Sequence, residues 1–217
     1  MPTAMTYNSL LNDMRAYLER GATLATDPTV YEQLPQLINL AERRLARELK
    51  IQGTVTVVSG TMTTAVVAYA KPNRWRETVS MRIGTGAGYN TLKEIYPRAY
   101  EYLRLYWPNQ TETEEPRFYA DYDYSNWLIA PTPDDNYPYE VIYYELPALL
   151  DITLQTNWFT EYAPDALLYA SLLEAAPFLK NDDQIKVWEG FLGRSIASLN
   201  GEDIRQIVDR SIIRRED

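Results

Sequence analysis

Hydrophobic residues recur every three to four positions in the N-terminal part of the chain, which is the period of an amphipathic helix. This spacing predicts a first helix from Tyr7 to Leu18 and a second from about Leu34 to Lys50. Pro35 is placed in the first turn of the second helix, where proline is tolerated, after a short lead-in segment.

From Gly53 the hydrophobic period changes from 3.6 to 2, which is typical of strands. Alternating or β-branched runs predict strands at residues 54–58, 62–70 and 74–83. Gly60 and the sequence Lys71-Pro72-Asn73 are predicted turns. A short helix from Pro97 to Trp107 interrupts the pattern, which resumes in the runs RFYAD, NWLIA and YEVIYYE. We predict that these strands form one antiparallel sheet.

The C-terminal third returns to a helical period. Pro164 opens a helix that is apolar nearly all round, which indicates burial among other helices. Asp182 or Asp183 is the expected cap of the next helix. Gly201 is predicted to break that helix and to leave a separate amphipathic segment at the C-terminus.

The order of these elements predicts an α+β protein. N- and C-terminal helices are expected to form one α-helical bundle, with an inserted antiparallel β-rich domain between them. The predicted boundaries are residues 1–51 for the N-terminal helices, 52–150 for the insert, 151–200 for the C-terminal helices and 201–217 for a C-terminal docking helix or arm.

Composition excludes most enzyme classes. The 217 residues include no cysteine and no histidine, so a thiolate nucleophile, a thiolate metal site and a Ser-His-Asp arrangement are all impossible. We therefore expect no catalytic activity, no cofactor and no metal. The first residues lack the basic start and apolar run of a signal peptide, and no apolar stretch approaches the ~20 residues that span a bilayer. The expectation is a soluble protein without membrane contact, made in the cytoplasm.

The charge balance argues against a protein that grips nucleic acid. Lys and Arg number 21 against 30 Asp and Glu, giving a net charge of -9. Such a chain repels a phosphate backbone. The 18 tyrosines and five tryptophans allow two interpretations, contacts between subunits or packing of a small β-domain.

Two polar regions within the predicted insert are candidate contact loops. Gly84, Gly86 and Gly88 have a GxGxG spacing with no helix start after them, which favours a flexible hairpin loop over a phosphate-binding loop. The acidic region that begins with Glu112, Glu114 and Glu115 lacks the ligand spacing of a calcium loop. It is interpreted as solvated surface, with an acidic channel lining or an interface as the alternatives.

Several runs occur in an order that resembles a known family. They are LPQLINLAERRLARELK at 34–50, IAPTPD at 129–134, YEVIYYELPALL at 139–150, TNWFTEYAPDALLYASLLEAAPFL at 156–179 and VWEGFLGRSIASLN at 187–200. Together they resemble the head-to-tail adaptor (connector) proteins of short-tailed bacteriophages, including the tail tubular protein A type. The resemblance covers most of the chain.

The resemblance implies a structural protein of the virion neck. Its expected form is a homo-oligomeric ring, dodecameric in that family, that lies beneath the portal, retains DNA and receives the tail. The implied partners are the portal protein, a tail or nozzle protein, and DNA in the channel through non-specific proximity. The alternatives are another structural protein of the neck or tail, or a carbohydrate-binding module that uses the aromatic residues.

Within that interpretation, the segment after Gly201 is the candidate portal-docking element. Four apolar residues form one helical stripe, and four arginines flank it on an otherwise acidic protein. The portal-interface candidates are Ile204, Arg205, Ile207, Val208, Arg210, Ile212, Arg214 and Arg215. The alternative is that this helix packs back on its own bundle. The loops around Gly84–Gly88 and Glu112–Glu115 are the candidates for facing the tail or a neighbouring subunit.

Overall fold

A computed structural model describes residues 4–18, 28–49, 52–179 and 182–213. The chain divides into two compact units: a helical unit, Met1–Thr54 with Leu146–Asp217, and a sheet unit, Val55–Glu145. The helices are α1 (Tyr7–Tyr17), α2 (Pro28–Glu48), α3 (Tyr100–Tyr106), α4 (Trp158–Tyr162), α5 (Pro164–Leu179) and α6 (Asp182–Ile213). The strands are β1 (Val55–Met62), β2 (Ala68–Ala70), β3 (Trp75–Thr85), β4 (Thr91–Pro97), β5 (Thr113–Glu114), β6 (Phe118–Asp121), β7 (Asn126–Ala130), β8 (Thr132–Pro133) and β9 (Tyr137–Glu145). The predicted α+β class is confirmed, while the bundle arrangement stays a prediction.

The helical unit has one aliphatic core. α5 packs against both α2 and α6, and α1 also contacts α5. The small residues Ala166, Ala170 and Ala176 of α5 are fully buried, which allows its neighbours to approach closely. α1 begins with a capping box in which the Thr6 side chain accepts a hydrogen bond from the Ser9 amide and the Ser9 side chain accepts one from the Thr6 amide.

α2 is one helix from Pro28, so the predicted lead-in and start near Leu34 are wrong. Pro28 lies at the first helical position, where its fixed φ suits the helix. Pro35 lies inside the helix and removes one backbone hydrogen bond. Val30 is buried in the same core as Leu34, so the extra turn adds apolar burial to the helical unit.

α6 also continues where a break was predicted. The helix runs through Gly201 to Ile213. A glycine inside a helix costs only about 1 kcal/mol relative to alanine. That cost is too small to end a helix that is already extended on both sides, because adding a residue to an existing helix is cooperative.

The sheet unit contains a seven-stranded sheet in the order β1-β9-β3-β4-β6-β7-β2, and β5 pairs with β8. The prediction of one antiparallel sheet is wrong at two strand pairs, since β5 is parallel to β8 and β4 is parallel to β6. Parallel neighbours need a crossover connection, and between β4 and β6 this connection includes α3. Leu103 of α3 is buried against Ala120, Leu128 and Ala130 of the sheet.

Gly60 was predicted as a turn but lies within β1, opposite Tyr139 of β9. The Tyr139 ring occupies the space beside the glycine, where an added Cβ would lie 2.7 Å from ring atoms. The predicted strand at 62–70 is reduced to β2, because the chain turns near Ala65, whose φ is +64°. β4 was not predicted.

The sheet curves around a core that is rich in aromatic residues. Trp127 of β7 is fully buried, and its indole N–H donates to Thr78 Oγ1 of β3 at 3.0 Å. Its ring meets Trp75 edge-on, with centroids 6.4 Å apart. Because β7 and β3 are not neighbours in the strand order, these contacts cross the interior of a curved sheet.

Candidate interaction surfaces

The outer side of α3 carries an exposed aromatic surface. We call Tyr100, Tyr102, Arg104, Leu105, Tyr106 and Tyr122 the α3 patch. Leu103, the residue that anchors the helix, is 1% exposed, whereas Leu105 is 74% exposed and Tyr106 is 60% exposed. Because Leu103 packs on the sheet, Leu105 and Tyr106 lie on the side of α3 that faces solvent.

Aromatic and arginine contacts order the two flanks of the α3 patch. On one flank the Tyr100 and Tyr122 rings lie 5.8 Å apart, and the Arg104 guanidinium lies within 6 Å of both ring centroids. On the other flank Tyr102 and Tyr106 have ring centroids 4.5 Å apart. Tyrosine, tryptophan and arginine are the residues enriched at the energetic centres of protein interfaces.

The two predicted contact loops meet at one end of the sheet unit. Thr113 pairs with Thr132 in the β5–β8 ladder, which places the segment 112–115 beside the turn at 134–136. The Tyr89 hydroxyl, at the tip of the β3–β4 hairpin, donates to Asp135 at 2.6 Å. We call Glu112, Glu114, Glu115, Asp134 and Asp135 the acidic end.

The carboxylates of the acidic end have polar partners within the unit. Glu112 accepts a hydrogen bond from Asn109 at 3.0 Å, Glu114 lies 3.7 Å from Arg117, and Glu115 forms an ion pair with Lys93. The hydrogen bonds from Tyr89 and the Asn136 amide lower the pKa of Asp135. Among the described residues, no group of three or more acidic side chains is arranged to hold a metal ion.

The three glycines of the predicted loop have different environments. Gly86 and Gly88 are exposed and have positive φ values of +78° and +72°, which suit glycine in a tight turn. Gly84 is buried within β3, and an added Cβ would lie 2.8 Å from Pro138 and from the Tyr89 carbonyl oxygen. Only Gly86 and Gly88 therefore belong to the exposed hairpin tip.

The helical unit contains a buried carboxylate that sequence reasoning missed. Glu42 of α2 is 1% exposed and accepts hydrogen bonds from the Leu150 amide at 3.0 Å and from Asn157 Nδ2 at 2.5 Å. Asn157 also caps α4. Burial raises the pKa of Glu42 to about 7, against the opposing effect of these hydrogen bonds. The sequence does indicate its burial, because Glu42 lies four residues after Ile38 and therefore on the apolar face of α2.

The portal-docking candidates fall at the end of the chain. The backbone of α6 is helical to Ile213, but the side chains of Ile204, Arg205, Ile207, Val208, Arg210 and Ile212 lie outside the described residues. Arg214 and Arg215 lie outside the described residues altogether. Where the structure describes the chain, no helix combines the length and the apolar character needed to cross a bilayer.

Comparison with known proteins gives one match that spans nearly the whole sequence. A family model described as SU10 adaptor protein matches residues 5–215. No curated protein matches the sequence.

Proposed function

The chain belongs to the SU10 adaptor protein family of bacteriophages, and from this premise we propose that it is a neck protein of the virion that joins portal and tail as one subunit of a ring. The family makes it a structural adaptor and a virion component. The ring, its dodecameric symmetry, its likeness to tail tubular protein A, and the portal and tail as partners are our proposal. The match over residues 5–215 is the observation that carries it.

The α3 patch supports assembly into a ring. Leu105 and Tyr106 present apolar area to solvent, and Arg104 lies between aromatic rings that restrict its side chain. A rigid aromatic surface loses little conformational entropy when it is covered. In a cyclic ring each copy uses two different surfaces, so this patch would contact a different face of the next copy.

The acidity supports a channel through which DNA passes without being held. Each subunit carries a net charge of -9. A dozen such subunits would carry on the order of a hundred negative charges, which repel phosphates along the channel. The acidic end, with the hairpin tip at Gly86 and Gly88 beside it, is our candidate for facing the tail or a neighbouring subunit.

The C-terminal segment is our candidate for portal docking. Its apolar stripe, flanked by arginines, fits a groove that is apolar at its base and acidic at its rim. Deletion of residues 202–217 tests this. The truncated protein should stay folded, losing only the helical circular dichroism signal of the deleted end of α6, and should lose binding to portal particles. Normal binding, or loss of the folded spectrum, would contradict the docking role.

The ring itself is tested by electron microscopy. Purified protein is mixed with portal particles, and class averages are inspected for an added ring below the portal. The expected result is a ring with the same rotational symmetry in every occupied particle. Portal particles that stay bare at saturating protein, or that carry single copies without a ring, would refute the proposal. A glycan-binding screen of the same preparation separates it from the carbohydrate-binding alternative.

A further inference from the structure

Strand β1 forms one edge of the large sheet along its whole length. All eight residues pair with β9, from Val55 opposite Tyr144 to Met62 opposite Tyr137, without a bulge. Among the described residues no strand pairs with its other side. Alternate residues of an antiparallel strand direct their N–H and C=O groups to each side. About half of the backbone polar groups of β1 are therefore available to a further strand.

The opposite edge of the sheet has features that discourage pairing, and β1 does not. β2 is only three residues long, and Lys71 follows it directly and forms an ion pair with Asp121 at 2.7 Å. Short length and a flanking lysine are common ways in which proteins block an edge strand. β1 contains no charged residue, no proline and no bulge. The uncharged stretch continues without interruption to Ala70.

The side chains on the outward face of β1 are small and would not obstruct another strand beside it. Val57 is 55% exposed, and Ser59 and Thr61 are also exposed. These side chains are small, and valine and threonine favour strands. A long, exposed and uncharged edge of this kind is a template for strand addition.

We infer that β1 pairs antiparallel with β1 of a second copy of this chain. The uncharged β1 adds no like-charge contact between two copies that each carry a net charge of -9, whereas a contact through the acidic end would. Length favours it as well. The eight residues of β1 match another β1 in full, whereas β2 would match only three of them.

This contact has its own symmetry. The same strand on both copies makes the contact isologous, so it closes at two copies and is not the contact that propagates a ring. One strand pair buries less area than the ~1,600 Å² of a standard interface. The dimer is accordingly weak and depends on concentration. It describes the free protein before docking and does not rest on the proposed ring.

A matched pair of lysine substitutions tests the contact. Val57 of β1 and Val79 of the interior strand β3 are both valines, 55% and 50% exposed. In sedimentation equilibrium, the wild-type mass should rise with concentration toward two copies and no further. Val57→Lys should raise the dissociation constant several-fold, because a lysine on an edge strand discourages the addition of another strand. Val79→Lys should leave the constant unchanged. A wild-type protein that stays monomeric into the millimolar range, or equal effects of the two lysines, would overturn the inference.

Cysteine cross-linking tests the register, and the chain is suited to it because it has no cysteine. The variants Val57→Cys, Ser59→Cys and Thr61→Cys are oxidised singly and in pairwise mixtures. In an antiparallel pair related by a twofold axis, the numbers of two facing residues always add up to the same value. All pairs of cysteines that form a disulfide should therefore have the same sum of residue numbers. Val79→Cys is the control and should not link. Linking in all combinations, or in none, would contradict antiparallel β1 pairing.

Discussion

The helical unit and the sheet unit bury their hydrophobic residues in different ways. The core of the helical unit is mostly leucine, isoleucine and alanine, whereas that of the sheet unit includes Trp127, Tyr119, Tyr137 and Tyr143. Among the side chains that the structure describes, most of the exposed large hydrophobic ones belong to the sheet unit: Val57, Val66, Val79, Leu92, Tyr96, Tyr100, Leu105, Tyr106, Tyr122 and Tyr124. The difference makes the sheet unit our candidate for contacts with other molecules.

The two units also differ in where they place ionisable groups. The helical unit buries Glu42 and uses it to hold the Leu150 amide and Asn157. The sheet unit keeps its acidic end at the surface. Changes of pH should therefore act on the stability of the helical unit and on the contacts of the sheet unit.

The largest expected effect is loss of the aromatic core of the sheet unit. Trp127→Ala removes a fully buried ring and its hydrogen bond to Thr78. We expect the free energy of unfolding to fall by about 3–5 kcal/mol, measured by urea denaturation. Tyr124, which is 84% exposed, provides the control, since Tyr124→Ala should change this free energy by less than about 0.5 kcal/mol. Similar values for both variants would show that the aromatic core is not what stabilises the unit.

The second effect concerns pH and Glu42. Its folded-state pKa of about 7 lies above the ordinary value of 4.5, so the folded protein holds this proton more tightly than the unfolded chain does. The contribution of Glu42 to stability is thus greatest below pH 4.5 and decreases as the pH rises to about 7. The decrease is on the order of 3 kcal/mol.

Glu42→Gln measures this contribution, because glutamine keeps an acceptor for Leu150 without the titrating proton. Unfolding is followed across this pH range in the wild type and the variant. The free energy of unfolding of Glu42→Gln, relative to that of the wild type, should increase as the pH rises. Glu32→Gln, at an exposed position of the same helix, should show no such trend. A constant difference between Glu42→Gln and the wild type would contradict the raised pKa.

A smaller effect on stability, with a large effect on assembly, is expected at the α3 patch. Leu105→Ser changes a residue that is already 74% exposed, so the free energy of unfolding should change by less than about 0.5 kcal/mol. Ring formation on portal particles should nevertheless decrease. Ile152→Ser, at an 80% exposed position of the helical unit, is the matched control and should assemble normally. If both variants assembled equally well, the α3 patch would have no special role in assembly compared with an exposed position of the helical unit.

The smallest effect is a change in local order without a change in stability. Residues 84–88 and 108–116 include the hairpin tip and most of the acidic end, and their glycine and polar side chains bury little apolar area. Hydrogen exchange at these residues should slow when the protein assembles with portal and tail. Equal protection in the free and assembled states would indicate that neither segment contacts a neighbour.

Sequence patterns identified the elements in which local and tertiary preferences agree. The strands β6, β7 and β9 and the start of α5 at Pro164 were predicted because alternation, turn residues and proline all favour the same structure there. Gly60 and Gly201 were wrongly predicted to interrupt their elements. At Gly60 the ring of Tyr139 fills the space that a side chain would take, and no local pattern reports a partner 79 residues away.

The candidate surfaces were predictable only in part. The loops at Gly86, Gly88 and Glu112–Glu115 were identified from composition, but their meeting at one end depends on the Thr113–Thr132 ladder. Exposure of Leu105 and Tyr106 was missed, because helical spacing shows which residues share a face and not which face the sheet covers. The portal-docking residues stay a prediction.

The pairing of Val55 with Tyr144 has a consequence for the connectivity of the chain. These residues lie beside the two points where the chain passes between units, and cross-strand neighbours are separated by roughly 5 Å. A gap of that size can be bridged by a tight turn, so a chain without the sheet unit can be closed there without rerouting the rest of the polypeptide. Val55 and Tyr144 therefore mark the two points at which this unit can be removed or replaced as one block.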